Sequence, residues 1–492
     1  MTPANRSWLV GRAALALALM VTFYALALFV SLGLLWVAYA DVSYARRPNG
    51  RLILFCLVGG GSVLWALVPR VDRFEKPGPP TTRGHEPQLF AVLEEVAAAT
   101  SQPMPADVYI VNDVNAFVTQ RGGVMGFGSR RVMGIGLPLM QALTVQELRG
   151  VIAHEFGHYH SGDVGLGPWI YKTRAAIERT IHQLSNSILQ KIFIWYGNLF
   201  LRITHAVSRR QEFIADEVAA RVAGAGAMAS GLRKVHAAAF AFQGYWHTEV
   251  GPLLASGYLP PVSQGFQRFM QSTHVASRMD TAVKQAETEG TTDPYDTHPS
   301  LRDRLAALNL LPHGSAGDTR PAVSLLANMG TWERRVLGTL VNDEWARSLK
   351  AIAWDSVADA VYVPMWRERV KQHANLLKNL TPATIPFTSV ELARLGGGLC
   401  DKDEGPVPNE ERMGRMVQLL MCAIGLHLVA LGWKATTTPG EEIVLVRQGE
   451  ELRLYSTLSS LVDGKTTIDA WRAKCAELGI TALPLAAEVA AV

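Results

Sequence analysis

The chain has 492 residues, about half of them apolar, and a net charge of +4. That length divides into several domains, and the mild charge, with no basic stripe interleaved with aromatics, excludes nucleic acid as an expected partner. The four cysteines form no CxxC pair, so no disulfide framework is expected, in agreement with a reducing compartment.

Two uncharged runs open the chain. Ala13 to Ala40 carries no charged residue over 28 positions, and Leu52 to Pro69 none over 18. About 20 apolar residues suffice to cross a bilayer as a helix. The first run is about twice the apolar core of a signal peptide, so it reads as an anchor although Ala38-Tyr39-Ala40 resembles a cleavage site. Arg6, Arg12, Arg70, Arg73, Lys76 and Arg83 flank the outer ends of the pair, against Arg46, Arg47 and Arg51 in the connecting loop. Positive charge favours the cytoplasmic side. The expectation is a two-helix anchor within 1–78 (spans at about 13–40 and 52–69), multi-pass in the cell (inner) membrane, with the following domain in the cytoplasm. Lys76 to Thr82, KPGPPTT, reads as the linker into that domain, 79–315.

A helix, the strand-like pieces VYIV and NAFVT, and glycine-punctuated segments through RVMGIG predict a small sheet next. Then comes Val151 to Asp163, VIAHEFGHYHSGD, with three histidines, a glutamate and an aspartate in thirteen residues. Upstream, Thr144 and Glu147 have capping-box spacing, Leu143 and Leu148 can form a hydrophobic staple, and Leu148, Val151 and Ile152 recur at helical spacing. A buried helix starting near Thr144 places His154 and His158 on one face, one turn apart. Two imidazoles so placed can reach one zinc ion at about 2.0–2.1 Å, with Glu155 beside its open face, where a general base belongs.

Such a site needs a third protein ligand. Ser161 and Val164 occupy the positions where a metzincin would continue with Gly and His, which removes that subclass. His160 is two positions from His158 and points roughly 200° away, and Asp163 lies beyond Gly162, where the helix should end, placed to orient a histidine from behind. A second helix, SRRQEFIADEVAARVAG (Ser208 to Gly224), offers Glu212 and Asp216 on one face, with Ala215 and Ala219 alongside to permit close approach.

HEFGH followed by SRRQEFIAD resembles the membrane-bound gluzincin zinc metallopeptidases of the HtpX and CAAX prenyl endopeptidase type. Glu86 to Val118 is similar to that family's first helix and its Asn-Ala-Phe strand, and THPSLRDRLAAL (Thr297 to Leu308) to its closing His-Pro motif, so that four ordered motifs cover Glu86 to Leu311. The resemblance implies one Zn2+ per chain held by His154, His158 and Glu212, with Glu155 as catalytic base. It also implies Asn115 for holding substrate backbone, His298 and Arg304 near the reacting carbonyl, and peptide substrates drawn from unfolded or membrane proteins. Asp163 and Asp216 are left as supporting carboxylates. An edge strand near Asn115 would pair with an extended substrate through backbone bonds, without demanding one sequence.

The chain departs from the family between Gly165 and Val207. Two further apolar spans are usual there, but this stretch holds Lys172, Arg174, Glu178, Arg179, Lys191 and Arg202. It reads as amphipathic helices packed on the catalytic domain or lying on the membrane surface. Residues 224 to 296 are mostly helical and are expected to cap the cleft. PHGSAGDTRP (Pro312 to Pro321) marks a boundary, followed by a helical accessory domain (316–405) and a small C-terminal α/β domain (406–492). In the last, Met416 to Trp433 is uncharged over 18 residues but contains Gln418 and His427 and precedes two alternating strand-like runs, EIVLVRQ and LRLYSTL, so it reads as a buried helix rather than a third span.

The expected fold class is therefore mainly α with a small β-sheet (α+β): a gluzincin-like domain behind a transmembrane hairpin, plus a C-terminal accessory α/β region. The expected activity is zinc-dependent endopeptidase, with a part in membrane-protein quality control. A membrane chaperone or scaffold with structural zinc, and a processing protease for prenylated C-termini, are the competing readings.

Overall fold

The computed structural model describes residues 3–68, 74–122, 128–159, 167–184, 188–293, 296–314, 317–341, 343–400 and 405–486. It is mainly helical with small sheets, as the sequence predicts. Two compact units divide the chain: Met1–Ala239 with Asp280–Leu340, and Phe240–Met279 with Val341–Val492. The stretch 224–296 is thus shared between them.

The first unit begins with helices α1 (Pro3–Tyr44) and α2 (Gly50–Leu67), whose turn is set by the Asn49 side chain accepting from the amides of Arg51 and Leu52. The two pack closely because their contact is made of small residues. Ser31 donates to the Gly60 carbonyl at 2.6 Å, and a Cβ added at Gly60 would sit 3.0 Å from the Ser31 carbonyl oxygen. Their outer faces expose Phe29, Trp36, Leu54 and Val58, all more than half accessible. A water-soluble protein does not leave so continuous an apolar surface uncovered.

After β1 (Pro80–Thr81) and α3 (Pro87–Ala99), strands β2 (Asp107–Val111), β3 (Ala116–Arg121) and β4 (Arg130–Gly136) complete a four-stranded sheet in the order β1-β2-β4-β3. β2 runs parallel to β4, and β3 pairs antiparallel with β4 as an edge strand, Val118 opposite Met133. The chain continues through α4 (Leu137–Ala142) to α5 (Val145–Gly157), α6 (Gly167–Gln183), α7 (Ile188–Ala223) and α8 (Ala225–Tyr245).

The amphipathic stretch 165–207 has a different partner from the two expected. α6 and the first half of α7 pack on the N-terminal helix pair, in a core of Met20, Phe23, Ala27 and Val63 with Ala176, Ile177, Phe193, Tyr196 and Phe200. The Tyr196 hydroxyl donates to the Leu19 carbonyl, and the Arg179 guanidinium donates to the Ala66 carbonyl at the end of α2. The apolar stripe of α6 and α7 is matched to α1 and α2, and of their charged residues Arg174, Glu178, Lys191 and Arg202 are exposed. α7 then runs on without interruption for 36 residues in all.

Residues 317–340 belong to this first unit. Glu86, just before α3, accepts from the indole of Trp332 at 2.6 Å and from the Ala327 amide at 2.7 Å.

In the second unit the uncharged run forms the helix Asn409–Ala430. Among the described residues it is one of three helices long and apolar enough to cross a membrane by length and composition, yet 61% of its apolar window is buried in the protein, against 28% and 22% for α1 and α2. Met416, Leu420, Ile424 and Leu428 pack among Trp366, Trp433, Leu454 and Trp471. Strands Lys434–Thr436, Val444–Arg447 and Glu450–Leu452 form an antiparallel sheet. The second expected strand, LRLYSTL, is therefore mostly wrong: it ends at Leu452, and Leu454–Val462 is a helix. Leu454, Leu458 and Leu461, spaced four and three apart, turn together into the core, and Glu442 accepts from the Ser456 amide near the helix start. That helical spacing outweighs the local alternation.

Candidate metal centre

α5 begins as its sequence requires. Thr144 Oγ1 accepts from the Glu147 amide and Glu147 returns the bond to the Thr144 amide at 2.8 Å, while Leu143 and Leu148 are buried. Glu147 also accepts from Ser230 at 2.6 Å and Lys234 at 2.8 Å on α8, which ties the start of α5 into the fold. His154 lies in the last turn of α5 and His158 is its C-terminal cap.

α7 crosses α5 at a glycine. A Cβ built at Gly157 would lie 2.9 Å from Ala215 Cα and 3.2 Å from its Cβ, and Ala215 and Ala219 are fully buried. This approach brings Glu212 to the histidines: His154 Nε2 is 3.4 Å from Glu212 Oε2, and His158 Nε2 is 3.5 Å from Glu212 Oε1. Among the described residues, these three form the His/Cys/Asp/Glu group whose donor atoms come within 4.8 Å of one another. A tetrahedral zinc with bonds of about 2.0–2.1 Å needs donors about 3.3–3.4 Å apart. The buried Glu212 Oε2 has no hydrogen-bond partner, which is costly for a carboxylate oxygen unless a cation meets it. The donor set fits the ion.

The buried side of the site is closed by Asp216 and Arg304. Asp216 Oδ1 is 2.9 Å from His154 Nδ1, and the Arg304 guanidinium grips Asp216 with two bonds of 2.9 and 2.6 Å. Arg304 Nη1 also lies 3.5 Å from Glu212 Oε2. Arg304 thus sits behind the ligands, only 13% exposed, whereas the resemblance implied a place near the reacting carbonyl. His298 is on the open side, 61% exposed, with Nδ1 3.0 Å from Glu212 Oε1. Asn115 is exposed at the beginning of β3, its carbonyl accepting from the Gly136 amide. His160 and Asp163 lie outside the described residues.

These neighbours shift the ionisations. Burial pulls His154 down, but Asp216 and Glu212 together push it up to about 9. Burial, reinforced by the charge on His154, lowers His158 to about 4. Burial pushes Glu155 up to about 7, with Glu212 adding to it. Burial opposes ionisation of Glu212, yet His154, His298 and Arg304 hold its carboxyl far below the usual range. The result is a deprotonated carboxylate ligand, an imidazole free to donate its lone pair, and a base matched to neutral solution.

Tyr159 and Val118 received no role from the sequence. The Tyr159 hydroxyl donates to the Val118 carbonyl at 2.9 Å, and the Val118 amide faces the Glu155 carboxylate. An aromatic one residue past the second histidine was the only trace of this contact.

Residues 84–311 match peptidase family M48. The chain is 24% identical to a protein named Protease HtpX homolog from Arthrobacter sp. (strain FB24), over 58% of this chain and 95% of that one. It is 25% identical to Protease HtpX of Ectopseudomonas mendocina (strain ymp), over 54% and 90%. A Protease HtpX homolog of Tropheryma whipplei (strain Twist) is 29% identical over 39% and 70%. No solved structure is a significant match. Family match, apolar helix pair and His/His/Glu cluster agree, and residues 84–311 are accordingly an M48 peptidase domain in a membrane metallopeptidase of the HtpX type.

Proposed function

We propose that the chain is a zinc-dependent endopeptidase of the cell (inner) membrane, with its active site in the cytoplasm and unfolded or membrane-protein segments as substrates. The observation that carries the metal is the convergence of the His154, His158 and Glu212 donor atoms within 4.8 Å of one another, with each histidine Nε2 3.4–3.5 Å from a Glu212 oxygen. When bound, the zinc polarises a water and the scissile carbonyl. Glu155 accepts the water's proton and later delivers it to the leaving amine. Asp216, itself fixed by Arg304, holds the His154 ring in place through Nδ1. In this reading His298, on the open side, stabilises charge developing on the substrate oxygen, and Asn115 holds substrate backbone at the edge of the sheet. The scaffold reading is weaker because structural zinc has no use for a base such as Glu155.

Glu155→Gln is expected to keep zinc at one per chain and to lower peptide hydrolysis at least about a hundredfold, the usual share of a general base. Zinc retention with full activity refutes the assignment, and the same variant traps substrates in native membranes. Orientation is tested by single cysteines: one at Arg210 should be shielded from impermeant thiol reagents in intact cells, and one at Arg47 labelled. The reverse pattern overturns the topology.

A further inference from the structure

The edge strand β3 faces α5 with alternate residues. Asn115 accepts from Gly136 across the ladder, so in an antiparallel pair Ala116 and Val118 turn their backbone groups away from β4. At Val118 the carbonyl accepts from the Tyr159 hydroxyl at 2.9 Å, and the amide faces the Glu155 carboxylate. Tyr159 is itself fixed. The Arg131 guanidinium lies 4.1 Å from its ring centroid and donates to the Pro103 carbonyl, and Gln102 bridges the two residues by accepting from Arg131 and donating to the Tyr159 carbonyl.

We propose that Tyr159 is a positioning residue for the catalytic base: it straps β3 to the end of α5, so that the Val118 amide holds the Glu155 carboxylate in its working direction. One carboxylate oxygen is anchored on the strand, and the other is left toward the metal. Tyr159 touches neither metal nor substrate in this role, and it acts through Val118. The same strap settles where an extended substrate joins the edge, because Val118 is already bonded and pairing falls to its outward-facing neighbours Ala116 and Gln120.

The inference rests on the peptidase reading of this site, and two measurements on the full chain in detergent separate the two. Tyr159→Phe keeps the ring beneath Arg131 and removes only the hydroxyl. Hydrogen exchange of the metal-free protein, followed at residues 116–121, should accelerate at least about fivefold in the variant. Steady-state cleavage of an unstructured peptide should show kcat lower by about 10- to 100-fold, as for a reacting group displaced by up to 1 Å, with KM within about twofold and zinc content unchanged. Val118→Pro deletes the amide without touching the ladder, as an edge strand allows, and should lose kcat in the same way. Unchanged exchange, or unchanged kcat in Tyr159→Phe, overturns the proposal. Faster exchange in a protein whose unmutated form cleaves nothing supports the strap and sinks the peptidase reading instead.

Discussion

Removing the Asp216 carboxylate should produce two separable losses. Asp216 is 3% exposed and serves His154 at 2.9 Å and Arg304 at 2.9 and 2.6 Å. In Asp216→Ala the Arg304 guanidinium stays buried, with Glu212 Oε2 at 3.5 Å as its nearest remaining carboxylate. Breaking one side of a buried ion pair costs about 3–5 kcal/mol, a large part of a domain's stability. The His154 ring also loses the acceptor that fixes it, which should weaken zinc about 10- to 100-fold, or about 1.4–2.8 kcal/mol. Asp216→Ala combined with Arg304→Met removes the stranded charge, so most of the stability should return while zinc affinity should not. The assays are denaturant unfolding with a chelator present, which uncouples stability from metal binding, and zinc titration against a chromophoric competitor. If the double variant binds zinc as tightly as the unmutated protein, Asp216 does not orient His154. If Asp216→Ala alone unfolds normally, the buried pair is not what holds Arg304.

Gly157→Ala should push α5 away from α7 at Ala215, costing about 1–3 kcal/mol for the overpacked contact. It should also lower zinc occupancy by separating His158 from Glu212, and a variant with full metal content and normal unfolding would contradict the tight crossing. Glu86→Ala strands the buried Trp332 indole and the Ala327 amide and should cost about 2–4 kcal/mol in unfolding measurements. A change below about 0.5 kcal/mol, the ordinary range for surface substitutions, would mean those bonds contribute little.

The parts of the site that could be read from sequence were those fixed by local spacing. The Thr144 cap set the phase of α5, and four-residue spacing put His154 and His158 on one face and Glu212 and Asp216 on another. Ala215 and Ala219 signalled a close crossing without saying at which atoms. What remained hidden depended on pairing between distant elements. The charges in 165–207 showed that its helices have a polar face, but not that their apolar stripe would meet Met20 and Phe23. Around Leu454, period-two alternation over a few residues competed with a helical period that becomes decisive only once Trp471 and the helix Asn409–Ala430 supply a core. Arg304 is a surface-like residue in sequence and acquires its buried place solely because Asp216 arrives from another helix. The Tyr159 strap involves a backbone carbonyl of β3, and backbone groups leave no mark in a sequence.

α7 joins two regions that are usually connected by flexible chain. Tyr196 is bonded to Leu19 on the anchor helix, and Glu212 stands sixteen residues further along the same uninterrupted helix, about 24 Å at 1.5 Å per residue. Glu212 is thus held off the anchor by one continuous helix, which acts as a ruler. On the proposed peptidase reading, a segment lying beside α1 at the level of Leu19 would have to run extended for about seven residues at 3.3–3.6 Å each to reach Glu212, a distance that substrates with graded tether lengths would measure.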